Sequence, residues 1–213
     1  MIIKFFRRSK NFLRNHVYCA YKRRLLKNHN FSLITSDCSG GMIYHDLQER
    51  FLSPTVNCKM SPKDFIKFCN DIEFWLLQPV TEIKLEGVHY PVGQLGDSVS
   101  NIVIHFVHYR TFEEAKQKWN ERKQRINYNN IFILLIDRDC TEEDVSNFMK
   151  LKYKNKLIVS NIARSYNNYL YIKGYEDSEL PIMTAYCSRW SVKKYLDIID
   201  YVGWLNHEKW CSN

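Results

Sequence analysis

From Phe31 onward, short apolar runs alternate with segments whose apolar residues recur every three or four positions, the order that builds an α/β sheet with crossover helices. Phe31-Ser32-Leu33-Ile34-Thr35 predicts a first strand, followed by a turn over Asp37–Gly41 and a helix over Met42–Glu49. Ser61-Pro62-Lys63-Asp64 reads as a helix start, because the Ser61 hydroxyl can accept from the Asp64 N–H and proline suits the first helical position. That helix is predicted to reach Leu76 before Pro79 stops it, and Val80–Leu85 with His89–Val92 reads as a hairpin or edge pair around Glu86-Gly87. Ile102–Val107 predicts a buried strand, and a capping box at Thr111-Phe112-Glu113-Glu114 opens a helix to Arg125. Ile131–Ile136 is apolar at every position, as in an interior parallel strand. Thr141-Glu142-Glu143-Asp144 caps a further helix, Leu157-Ile158-Val159 gives another strand, and a strand at Tyr169–Ile172 and a helix at Val192–Trp204 complete the pattern. The expected fold is α/β, three-layered, with a mostly parallel sheet and crossover helices over residues 29–213.

Residues 1–28 follow a different pattern. Ile2, Phe5, Phe6, Phe12, Leu13, Val17, Tyr21, Leu25 and Leu26 form an apolar stripe at helical spacing, opposite Lys4, Arg7, Arg8, Lys10, Arg14, Lys22, Arg23, Arg24 and Lys27. No apolar run approaches the roughly 18 residues that span a bilayer, and Arg7 and Arg8 interrupt the only segment that could serve as a secretory signal. A basic amphipathic helix of this kind can lie on an anionic membrane surface, or it can pack on the domain.

Charge sharpens this division. The chain has a net charge of +8, yet no acid occurs in residues 1–28 and the remaining body is close to neutral. With no basic aromatic groove in the body, nucleic acid is not an expected partner. Seven cysteines (Cys19, Cys38, Cys58, Cys69, Cys140, Cys187, Cys211) are scattered without a CxxC pair, which predicts reduced thiols in a cytoplasmic protein, peripheral on the inner face of the cell membrane if the arm binds there.

In open α/β sheets ligands bind beyond the carboxyl ends of the strands, so the residues there are the ones to inspect. After the first strand, Asp37, Cys38, Ser39, Gly40 and Gly41 make a strand-to-helix turn. The helix N-terminus could hold an anion or lower the pKa of Cys38 and make it a nucleophile, or the turn could be purely structural. His108 is a candidate base, or a histidine bonded to the backbone with no chemical role, with His105 three residues before it as a ligand contact and His45 as a second base candidate. Asp137-Arg138-Asp139 resembles the DxD of nucleotide-sugar glycosyltransferases, in which Asp137 and Asp139 would hold Mg²⁺ or Mn²⁺. Trp119, Arg122 and Arg125 form a basic helix end suited to an acidic or phosphorylated sugar.

Taken together, Phe31–Gly41, Tyr90-Pro91-Val92-Gly93, His105–His108, Lys118–Asn127 and Asp137–Asp144 resemble a bacterial family commonly labelled exopolysaccharide or capsule biosynthesis proteins. The resemblance covers about residues 30 to 160. It implies an α/β fold and a place in surface-polysaccharide assembly at the cytoplasmic face of the inner membrane. The expectation is a transferase acting on a nucleotide- or lipid-linked sugar. Acyl transfer from CoA through Cys38 and metal-assisted glycosyl transfer are both open, with a non-catalytic sugar- or partner-binding accessory protein as the alternative.

Overall fold

The computed structural model describes residues 2–176 and 178–208, with side chains from residue 8 onward. Cys211 and the side chains of Ile2, Lys4, Phe5, Phe6 and Arg7 therefore lie outside the described residues. Helix α1 (Ile2–Leu13) runs through one π-helical turn (Arg14–Tyr18) into α2 (Cys19–Leu25). Strand β1 (Ser32–Thr35) leads into α3 (Ser39–Leu47), then α4 (Pro62–Asn70) and α5 (Ile72–Leu77). Strands β2 (Val80–Ile83), β3 (Val92–Gly96) and β4 (Asn101–His105) precede α6 (Phe112–Lys123) and β5 (Ile131–Ile136). Then come α7 (Glu142–Lys150), β6 (Lys156–Ser160), β7 (Tyr169–Tyr171), a 3₁₀ turn (Tyr195–Ile198) and α8 (Tyr201–Leu205).

The main sheet is parallel throughout, in the order β1-β5-β6-β7. Successive residues of β5 serve opposite faces: Ile131, Ile133 and Leu135 join a core with α4, α6 and α7, while Phe132, Leu134 and Ile136 join one with α3 and α8. Both faces are covered, which is why this strand is apolar at every position. Its neighbour β1 is an edge strand, and side chains close that edge: the Tyr44 hydroxyl accepts from the Leu33 N–H at 2.9 Å and the Thr55 hydroxyl from the Thr35 N–H at 3.1 Å.

The middle strand departs from expectation. β4 belongs to a second, antiparallel sheet ordered β2-β3-β4, and its burial alternates, with Ile102 and Ile104 inside and Asn101, Val103 and His105 partly exposed. The helix predicted over 61–76 is broken at Asp71, whose side chain caps α5 by accepting from the Phe74 N–H at 3.1 Å. The helix predicted over 192–204 divides into the 3₁₀ turn and α8.

The basic arm packs on the body. Arg14 is buried, its guanidinium held by Asp46 and by Asp197 at 2.6 Å, and Lys22 reaches Asp197 at 2.7 Å. Burial alone would lower the Arg14 pKa, but the two carboxylates outweigh it and the value rises. Among the described residues no helix is long and apolar enough to cross a membrane.

Candidate functional site

The helices that follow the adjacent strands β1 and β5 lie on opposite faces of the sheet, α3 in one core and α7 in the other. A crevice opens between such strands at their carboxyl ends. The segment Cys58–Met60 runs past this end and links the two sheets. The Met60 N–H donates to the Ser36 carbonyl at 3.0 Å, and Lys59 and His105 exchange two backbone hydrogen bonds of 2.8 Å. Ser61 and Pro62 then start α4, the Ser61 hydroxyl accepting from the Asp64 N–H at 3.1 Å.

These elements enclose a cleft of about 210 Å³ lined by Ser36, Asp37, Lys59, Ser61, Tyr90, His105, Arg138 and Asp139, with Met60, Pro62 and Ile136 as its apolar wall. His105 Nδ1 lies 3.3 Å from the Tyr90 hydroxyl, whose ring meets the imidazole edge to face. Burial, reinforced by the nearby Lys59 ammonium, lowers the His105 pKa below its ordinary 6.5, so the imidazole is neutral at pH 7 and able to take a proton. The Asp37 carboxylate accepts from the Ser39 N–H at 2.9 Å. The Arg138 guanidinium donates to the Leu180 carbonyl at 2.7 Å, which ties the segment before Pro181 to the cleft rim.

Several candidate residues are placed elsewhere. Cys38 does not line the cleft; burial, then the Asp37 carboxylate, pushes its thiol up to about 12, the reverse of the lowering a helix N-terminus would give. Among the described residues its sulfur has a single hydrogen-bond contact, a weak one with the Cys58 carbonyl at 4.0 Å. Gly40 and Gly41 serve packing, since a Cβ at Gly40 would sit 2.7 Å from the Thr35 hydroxyl and one at Gly41 3.0 Å from Asn57. Ser39 is fully buried beside them. His108 is exposed in the turn after β4 and His45 is exposed on α3, both outside the cleft.

Asp137 is no partner for Asp139 in holding a cation. Its buried carboxylate accepts from the Cys140 N–H at 3.0 Å, the Ser160 hydroxyl at 2.7 Å and Arg164 at 3.0 Å, which commits it to partners within the protein, whereas Asp139 is exposed at the cleft. Among the described residues no group of three or more His, Cys, Asp or Glu side chains is arranged to hold a metal ion. The donor set at the Asp-Arg-Asp turn therefore does not fit the expected Mg²⁺ or Mn²⁺ site. Trp119 is a core residue, and Arg122 is buried against the Tyr109 hydroxyl at 2.7 Å and the Val56 carbonyl at 3.0 Å. Arg125 faces Glu121 at 3.7 Å. Neither Trp119 nor Arg122 is free to meet a sugar.

Sequence reasoning missed Lys59, Tyr90 and Arg164. Lys59 carries no motif, and its place follows only from the pairing with β4; Tyr90 stood within the Tyr-Pro-Val-Gly stretch without a role.

The family model described as a domain of unknown function, DUF1919, matches residues 8–206. The chain belongs to this family. It is also 40% identical over 187 residues to a Haemophilus influenzae protein described as uncharacterized, a match covering 87% of this chain and 88% of that one. The match begins within the arm, and its end at 206 takes in α8.

Proposed function

We propose that the cleft binds the phosphorylated end of a sugar and that the protein is a transferase acting on it, with His105 as the base. The observation that carries this reading is the convergence, beyond two adjacent parallel strands, of the Lys59 ammonium, a neutral imidazole and two carboxylates in one cleft, with the Arg138 guanidinium at its rim. Lys59 suits a phosphate, Asp37 and Asp139 accept from sugar hydroxyls, and His105, positioned by Tyr90, takes the proton of an attacking hydroxyl. At about 210 Å³ the cleft is smaller than the ~300–1,000 Å³ usual for ligand pockets. A single sugar phosphate unit fills it; the rest of a nucleotide- or lipid-linked donor would extend outside. The resemblance to exopolysaccharide and capsule proteins supports placing this sugar in surface-polysaccharide assembly.

The high pKa of Cys38 and its place outside the cleft favour transfer at His105 over an acyl-thiol route from CoA. Thermal melting of the full chain with sugar phosphates and nucleotide sugars tests the assignment. A ligand at 100 times its dissociation constant adds about 2.7 kcal/mol of stability. Lys59→Met is expected to abolish the shift, whereas His105→Ala should keep binding and lose turnover. Turnover should rise with pH through a value below 6.5, as His105 loses its proton. A shift unchanged in Lys59→Met would sink the reading, and binding without turnover in the unaltered chain would make the protein an accessory sugar-binding module.

A further inference from the structure

An amphipathic helix packed on a water-soluble domain turns its apolar stripe inward and its charges outward. The α1–α2 arm departs from this pattern along its middle. Arg14, Lys22 and Arg23 reach inward, to Asp46, to Asp197 and to the Asp46 carbonyl. Phe12, Val17 and Tyr21 face outward with 61%, 61% and 62% of their surface exposed, and Leu13 and Leu25 are exposed with them. Intervals of four to five residues across the π turn keep these side chains on one line along the arm. Arg8 and Arg24 are exposed in the same arm, which contains no acid.

We infer that this outward face is a docking surface for an anionic lipid bilayer. Its apolar side chains enter the boundary between headgroups and acyl chains while Arg8 and Arg24 meet the headgroup phosphates. Charge selects this occupant. A second copy packing symmetrically on the same face would set one acid-free basic helix against another and bring like charges together, whereas an anionic leaflet neutralises them. The ion pairs beneath fix the arm in place, so the apolar face is ordered before it meets lipid. Lys10 also donates to the Ser188 and Arg189 carbonyls at 3.4 and 3.3 Å, which holds the loop that exposes Trp190 against α1. This surface is separate from the cleft, and its test does not depend on any sugar ligand.

The experiment is co-sedimentation of the full chain with vesicles of phosphatidylglycerol and phosphatidylethanolamine, and with vesicles of phosphatidylcholine alone. The chain should pellet with the anionic vesicles only, and less as salt is raised. Val17→Ser with Tyr21→Ser should weaken binding about tenfold or more while the melting temperature holds, because both side chains are exposed. Leu77→Ser, at a still more exposed apolar residue on α5, should leave binding unchanged. Pelleting that is equal with both kinds of vesicle, absent from both, or insensitive to Val17→Ser with Tyr21→Ser would overturn the proposal. So would a dimer in sedimentation equilibrium that those substitutions dissociate, with no vesicle binding, since the face would then belong to a second copy.

Discussion

Arg14 is a buried cation set between two buried carboxylates, and its removal would leave Asp46 and Asp197 with Lys22 as the main counter-charge within the protein. Arg14→Met is expected to cost ~3–5 kcal/mol, read as a lower urea midpoint at pH 7. The same cluster sets an acid limit. Burial alone would raise the Asp197 pKa, but hydrogen bonds and charge from Arg14 and Lys22 bring it below the ordinary 3.8. Its folded value is therefore depressed, so its contribution is complete above about pH 3.8 and is lost as pH falls through the lower folded value. Urea unfolding across acid pH should show a fall in this window that Asp197→Asn flattens. None of this was legible along the chain, because Arg14, Asp46 and Asp197 are far apart in sequence and their pairing exists only once the arm docks. The same limit applies to Asp137: its spacing from Asp139 suggested a metal pair, but Arg164 and Ser160, both distant, claim its carboxylate.

At the scale of elements, local chemistry was readable where it is short-range. Ser61, Thr111 and Thr141 each cap the helix they were expected to start, and Thr141 with Asp144 forms a reciprocal capping box. What escaped was sheet membership. Ile102–His105 carries the same residue types as a parallel strand, and only its partners β3 and Lys59 make it antiparallel. By sequence the turn at Gly40 suits an anion, a nucleophile at Cys38 or a purely structural role, and the contact with Thr35 supports packing. Gly40→Ala forces a methyl group to within 2.7 Å of the Thr35 hydroxyl and 2.8 Å of its methyl, which pushes α3 off β1. The expected cost is ~1–3 kcal/mol, measured as a fall in melting temperature, with Gly87→Ala as a contrast where nothing lies within contact distance and only the positive φ is strained.

For the whole molecule the question is whether residues 1–28 are an appendage or part of the folding unit. Composition suggested a boundary, since the basic charge is concentrated there and the rest is near neutral. The packing runs across it. Leu26 belongs to the same core as Phe132 and Trp204, and Cys19 is fully buried. The Asn206 side chain accepts from the Lys27 N–H at 2.8 Å and donates to the Leu25 carbonyl at 2.9 Å, which locks the arm to the residue after α8. Deleting residues 1–28 would thus strip a core side chain and leave two buried carboxylates without their cation. A broken buried pair alone costs ~3–5 kcal/mol, against a total stability of ~5–15 kcal/mol for a typical domain. Residues 29–213 expressed alone are expected to be insoluble or to melt far below the full chain. Melting at the same temperature would instead show that the arm adds nothing to the fold, and that Asp46 and Asp197 find solvent or other partners once Arg14 is gone.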